Sequence, residues 1–151
     1  MKYTLPTSIF VAITGLILII DQITKYLVKT IIPLGASYPI IPNIIYFTHT
    51  TNTGASFSLF TSYSFILGMI AGAVAAGIIV WYKQIPKNYL LPAALILAGT
   101  LGNLIDRILQ GHVTDFIDVR IWPVFNVADS AITIAAIMLI IIVWKEEKEK
   151  K

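Results

Sequence analysis

The chain has 151 residues, enough for a single domain. Hydrophobic residues make up 57% and charged residues 13%, where a soluble domain carries about 25% charge, so the composition belongs in a bilayer. The net charge is only +3, with no basic face or stacking motif, which argues against nucleic-acid binding. The absence of cysteine excludes disulfides, thiolate metal sites and cysteine nucleophiles.

The first span is expected at about residues 7–28. Ile9 to Ile20 is apolar apart from Thr14 and Gly15, and Asp21 and Lys25 follow. Crossing a hydrocarbon core takes about 20 residues, which places Asp21 and Lys25 in the last turns. Only Lys2 precedes the apolar run and no A-x-A site follows it, so the segment reads as a retained transmembrane helix rather than a cleaved leader.

Residues 29–61 change character. Pro33, Pro39 and Pro42 interrupt any helix, and the β-branched, aromatic run Ile40 to Thr51 predicts short strands. The turn-prone stretch Thr51 to Phe57 leads back to the membrane. A second span at about 62–82 is rich in Gly and Ala, small residues that let helices approach closely in lipid. Trp81 and Tyr82 suit its interface. Spans three and four fall at about 89–109 and 127–144, followed by a solvated tail, Lys145 to Lys151.

The expected architecture is therefore an all-α membrane protein. Four transmembrane helices form one domain over residues 1–151, with a small β-containing extracytoplasmic cap from the first loop. Four spans leave both termini on one side. Lys2, Lys83, Lys87, Lys145, Lys148, Lys150 and Lys151 lie there, seven cations against Lys25, Lys29, Arg107 and Arg120 on the other. The positive-inside rule then makes the termini cytoplasmic and puts every aspartate at or near the outer face.

The acidic residues are segregated by type. Glu146, Glu147 and Glu149 sit in the tail, while Asp21, Asp106, Asp115, Asp118 and Asp129 sit elsewhere. A carboxylate at the centre of a membrane helix costs roughly 2.5–3.5 kcal/mol on insertion scales, so such groups are rare unless used. Helical spacing groups them. Asp21 and Lys25 are i,i+4, as are Asn103 and Arg107, while Asn126 and Asp129 are i,i+3 at the start of span four. Asp115 is placed in the loop between spans three and four. Three helix ends thus present polar groups at one depth beneath the cap.

Two carboxyls brought together in a partly dry pocket share a proton, and the pair can activate water against a carbonyl without a covalent intermediate. On spacing alone, Asp106 and Asp118 compete with Asp115 and Asp129 for that role. G-x-S-x-G and H-E-x-x-H are absent, and His49 and His112 are too far apart in sequence for a zinc motif, so neither metal nor cofactor is expected. The plainer readings make Asp21–Lys25 a structural ion pair, Arg107 a snorkelling lipid anchor, His112 a polar loop residue and Asn52 to Gly54 a turn. A transporter or channel subunit is the second function class, but the cytoplasmic halves of all four spans lack charge. A non-catalytic scaffold leaves the aspartates unexplained.

Five segments carry a family resemblance: DQITK at 21–25, NTGASF at 52–57, GNLIDR at 102–107, GHVTDFID at 111–118 and FNVADS at 125–130. In order and spacing they resemble the lipoprotein signal peptidase (signal peptidase II) family, departing only at Ser56, where a small apolar residue is commoner. The resemblance implies an aspartic endopeptidase of the bacterial plasma membrane that cuts prolipoproteins before a diacylglyceryl-modified cysteine. It implies Asp115 and Asp129 as the catalytic pair. Asn52, Gly54, Asn103, Arg107 and Asn126 would support the pair and bind substrate, and Asp21 and Lys25 would match the polar pair of the first helix. Membrane lipids and globomycin-type cyclic peptide antibiotics are the further partners it implies.

Overall fold

Each long apolar stretch forms a helix: α1 (Thr7–Ile31), α2 (Ser64–Trp81), α3 (Leu90–Gln110) and α4 (Val127–Glu149). All four are long and apolar enough to cross a membrane. The computed structural model describes residues 7–54 and 64–150. Lys2, Lys151 and the segment Ala55 to Phe57, with Ser56 inside it, lie outside the described residues.

The helices are not equivalent. In α3, 56% of the most apolar window is buried within the protein, against 6–17% in the others. It is the hub against which α1, α2 and α4 pack, and small residues let them come close. Ala94 and Ala98 of α3 and Ala128 and Ala135 of α4 have no exposed surface. A Cβ at Gly99 would collide with the Ala128 carbonyl oxygen, and one at Gly102 would sit 2.5 Å from Asp21 Oδ2. The closest helix approaches are therefore made by α3. The Gly-rich α2, from which close approach was expected, leaves ordinary room at Gly68 and Gly72.

Two boundaries differ from expectation. The last helix continues to Glu149, so most of the charged tail extends α4, and the Lys148 ammonium lies 3.9 Å above the Trp144 ring. Between α2 and α3, two short 3₁₀ turns (Tyr82–Gln84 and Lys87–Tyr89) replace an irregular loop. Asn88 and Tyr89 donate to the Glu146 carboxylate at 3.0 and 2.9 Å, tying this end of α3 to α4.

The opposite end carries a three-stranded antiparallel sheet of β1 (Ser37–Ile41), β2 (Ile45–Asn52) and β3 (Val113–Asp118), in that order. The first two form the hairpin expected of the proline-rich loop, turning at Asn43 (φ 63°). The third corrects two expectations. The cap is built from two loops rather than the first alone, and Asp115 lies on a strand, opposite Thr50 of β2. His49 of β2 is buried and its Nδ1 donates to the Ile32 carbonyl oxygen at 2.7 Å, fastening the sheet to the end of α1.

Candidate active site

The polar residues at the sheet end fall into two connected clusters. The first is sealed inside the helix bundle. Asp21 and Lys25, one turn apart on α1, form an ion pair of 2.9 Å with 0% and 1% side-chain exposure. Lys25 Nζ also reaches Asp106 Oδ2 of α3 at 3.3 Å and donates to Asn103 Oδ1 at 2.9 Å. An ammonium has three donors and no acceptor, so these three partners saturate it. Asp21 Oδ1 accepts from the Ala128 backbone N–H, an orphan donor in the first turn of α4 (2.9 Å). Asp106 accepts from the Thr114 backbone N–H of β3 at 3.0 Å. The cluster therefore ties α1, α3, β3 and α4 together.

The second cluster is built around Asp115 and Asp129. Asn126 caps α4: its Oδ1 accepts from the Asp129 backbone N–H at 2.9 Å, while Asp129 Oδ2 accepts from the Asn126 backbone N–H at 3.2 Å. The i,i+3 spacing in the sequence is thus a capping box. The same Asn126 donates through Nδ2 to Asp115 Oδ1 at 2.6 Å. Asn52, at the end of β2, donates to Asp115 Oδ2 at 3.0 Å, and Asn103 donates to Asp129 Oδ1 at 2.8 Å. Every oxygen of both carboxyls accepts one hydrogen bond from an amide. None of these bonds comes from a cation.

The two carboxyls line one cavity of about 1010 Å³, at the upper end of ordinary ligand sites. Its polar floor includes Asn52, Asn103 and Arg107. Its apolar walls come from α2 (Leu67, Ile70, Val74) and α4 (Ile132, Ile134), helices that both pack on α3. Burial, followed by the nearby charge of Asp129, pushes the Asp115 carboxyl up to about 7, against the hydrogen bonds from Asn52 and Asn126 and the charge of Lys25. A carboxyl in that range exchanges its proton at neutral pH.

Arg107 enters the same cavity, with long contacts to the carbonyl oxygens of Asn103 (3.4 Å) and Gly54 (3.5 Å). Its Nε is buried without a partner among the described residues. Gly54 is held by its own N–H, which donates to Asn52 Oδ1 at 3.0 Å.

The structure also separates the two competing aspartates from the pair. Asp106 is held by Lys25 and by the Thr114 backbone N–H. Asp118 accepts from Thr48 Oγ1 and the Arg120 backbone N–H, both at 2.8 Å, and pins the sheet to the turn at Arg120. The Asp106–Lys25 contact was missed in the sequence because nothing in local spacing pairs residues from α1 and α3. His112 lies in the turn after α3 and takes no part in either cluster.

Comparison with known proteins places the chain in one family. The family model for signal peptidase (SPase) II matches residues 13–145. A lipoprotein signal peptidase of Staphylococcus aureus is 38% identical over 159 aligned positions, covering 99% of this chain and 95% of that protein. One from Halothermothrix orenii is 37% identical over 135, covering 88% and 93%. Among solved structures, a bacterial membrane enzyme determined in meso at 2.3 Å superimposes with TM-score 0.93 at 31% identity, covering 100% of this chain and 96% of that one. A second, at 1.9 Å, gives 0.85, also at 31% identity. The chain belongs to the signal peptidase II family and is a multi-pass membrane peptidase of the aspartic type.

Proposed function

From that membership, and from the amide-cradled pair on the cavity wall, we propose that this chain removes the signal peptide from prolipoproteins. Cleavage falls just before a cysteine that already carries diacylglycerol, and Asp115 and Asp129 perform the chemistry. The observation that carries the reading is that these two carboxyls share Asn126 and face one cavity. One member is ionised and takes a proton from a water molecule as its oxygen attacks the scissile carbonyl. The other is protonated and donates to the carbonyl oxygen as the tetrahedral intermediate forms. Collapse breaks the C–N bond, and the proton taken from water passes to the departing amine.

The remaining polar residues bind and orient. Arg107, Asn52 and Gly54 hold the peptide backbone within the cavity, while Asn103 and Asn126 keep the pair in register. Substrate enters from the membrane plane, where lipids surround it, along the apolar cavity wall that α2 and α4 supply. Globomycin-type cyclic peptides occupy the same cavity and compete with substrate.

The termini are cytoplasmic and the sheet end faces outward from a bacterial plasma membrane. Lys83, Lys87, Lys145, Lys148 and Lys150 all lie at the end opposite the sheet, and Lys25 is sealed in an ion pair that removes it from the opposing tally.

Asp115→Asn and Asp129→Asn test the reading. Each is expected to fold in detergent and to lose on the order of 10²–10⁴-fold in kcat on a lipid-modified prolipoprotein. Turnover within tenfold of the unmodified enzyme in either variant refutes it. A substrate with an unlipidated cysteine is expected to be cut poorly, and equal rates would show that the acyl chains are not read.

A further inference from the structure

The sealed cluster and the aspartate pair meet at one side chain, the Asn103 carboxamide. Its Oδ1 accepts from Lys25 Nζ at 2.9 Å and from Asn126 Nδ2 at 3.1 Å, and its Nδ2 donates to Asp129 Oδ1 at 2.8 Å. A carboxamide turned by 180° would present oxygen to a carboxylate and NH₂ to both an ammonium and the Asn126 NH₂, three repulsive contacts in place of three attractive ones. Lys25 is a donor only and is wedged between Asp21 and Asp106, so it cannot turn to accommodate the reversed amide. The order of donors therefore runs one way, from Lys25 through Asn103 to Asp129.

Resting on the reading above, we propose that Lys25 is a positioning residue. By fixing the orientation of the Asn103 carboxamide it keeps an N–H on Asp129, and so sets the pH range in which the aspartate pair holds a single proton. Lys25 touches neither substrate nor the reacting carboxyls. The charged groups that face the pair among the described residues are Asp21 and Lys25 from α1 and Asp106 and Arg107 from α3. Of these, the ammonium is the charged donor on the Asn103 oxygen, and without it only the neutral Asn126 Nδ2 holds that oxygen. The Asn103–Asp129 bond is then less firmly held, and the charged form of Asp129 is less favoured.

Lys25→Met tests this, with Lys25→Arg as the conservative control and Asn103→Ala as the second arm of a double-mutant cycle. The expected result is a shift of the alkaline limb of kcat/KM to higher pH by about one unit in Lys25→Met. Lys25→Arg retains the original limb, and Lys25→Met adds no further shift in the Asn103→Ala background. A shift that persists at full size in that background assigns the effect to the ammonium's charge through space and overturns the relay. An unchanged limb, with only reduced thermal stability, assigns Lys25 a structural role alone and also overturns it.

If Lys25→Met does not fold, Lys25→Met with Asp106→Asn removes the ammonium together with one of its buried counter-charges. Where turnover is too slow to follow, infrared titration of the protonated carboxyl band reads the same shift, assigned by its loss in Asp115→Asn and Asp129→Asn. The two readings fail separately. Active Asp115→Asn or Asp129→Asn enzymes refute the aspartate pair, whereas inactive ones with an unmoved Lys25→Met limb refute only the role of Lys25.

Discussion

Asp21 and Asp106 on one side, and Asp115 and Asp129 on the other, are the same residue type in two connected clusters, and their surroundings are opposite. The first two bracket one lysine and have no exposed face to offer. Among the described residues the second two receive hydrogen bonds from neutral amides, and they line a large cavity. A buried carboxylate facing a cation keeps its charge and holds structure. A buried carboxyl given neutral donors and a like-charged neighbour is left able to gain and lose a proton. The partner, rather than the residue, decides which role follows.

The sharpest way to break this contrast is to neutralise one member of each cluster. Asp129→Asn is expected to abolish turnover with little loss of stability, as set out above. Asp106→Ala is expected to do the reverse, costing about 3–5 kcal/mol of stability by leaving a buried ammonium short of a partner. Its kcat per folded molecule should fall far less than in Asp129→Asn. Thermal unfolding in detergent, read beside single-turnover rates, separates the two. If both variants lose activity equally at full stability, the division between the clusters is wrong.

A smaller effect concerns the packing that seals the first cluster. Gly102→Ala places a methyl 2.5 Å from Asp21 Oδ2 and 3.2 Å from the Ala128 Cβ, which overpacks the α1–α3–α4 junction and should cost about 1–3 kcal/mol. Gly72→Ala is the control, with its nearest neighbour at 4.0 Å; it should be neutral or stabilising by up to about 1 kcal/mol. Equal effects at the two glycines would mean that α3 is not the close-packed hub.

Much of this arrangement is written in short-range spacing. Asp21 and Lys25 pair because four residues make one turn, and Asn126 and Asp129 form a capping box because three residues separate cap from first turn. The helices follow from apolar runs, and the β1–β2 hairpin from prolines and β-branched residues. The third strand did not follow, because Val113–Asp118 is short and becomes a strand only by pairing with β2, a partner some sixty residues earlier in the chain. Asp106 was ambiguous for a related reason. Its meaning depends on Lys25, and only the packing of α1 on α3 brings the two together. Lateral contacts between elements, not the elements themselves, escaped local pattern.

The finest test lies within the aspartate pair, where Asn52 of β2 donates to Asp115. Its hydrogen bond favours the charged form of Asp115, while burial and Asp129 hold the carboxyl up at about 7. The sign follows from that position. The folded protein keeps a proton on Asp115 that the unfolded chain, with its ordinary value of 3.8, releases. Protonation of Asp115 therefore stabilises the fold fully below pH 3.8, and this contribution fades as pH rises to about 7. On the proposed mechanism the pair holds one proton, so kcat/KM should decline on an alkaline limb near pH 7. Asn52→Ala removes a bond that opposes the upward shift, so its limb should move to higher pH by less than about one unit. Asp115→Asn should lessen the decline in stability between pH 4 and 7. The pH profile of kcat/KM and the pH dependence of the unfolding midpoint measure the two effects independently. A limb displaced to lower pH in Asn52→Ala would mean that Asn52 serves the neutral carboxyl instead, and that the cap acts on the pair by excluding water rather than by donating a hydrogen bond.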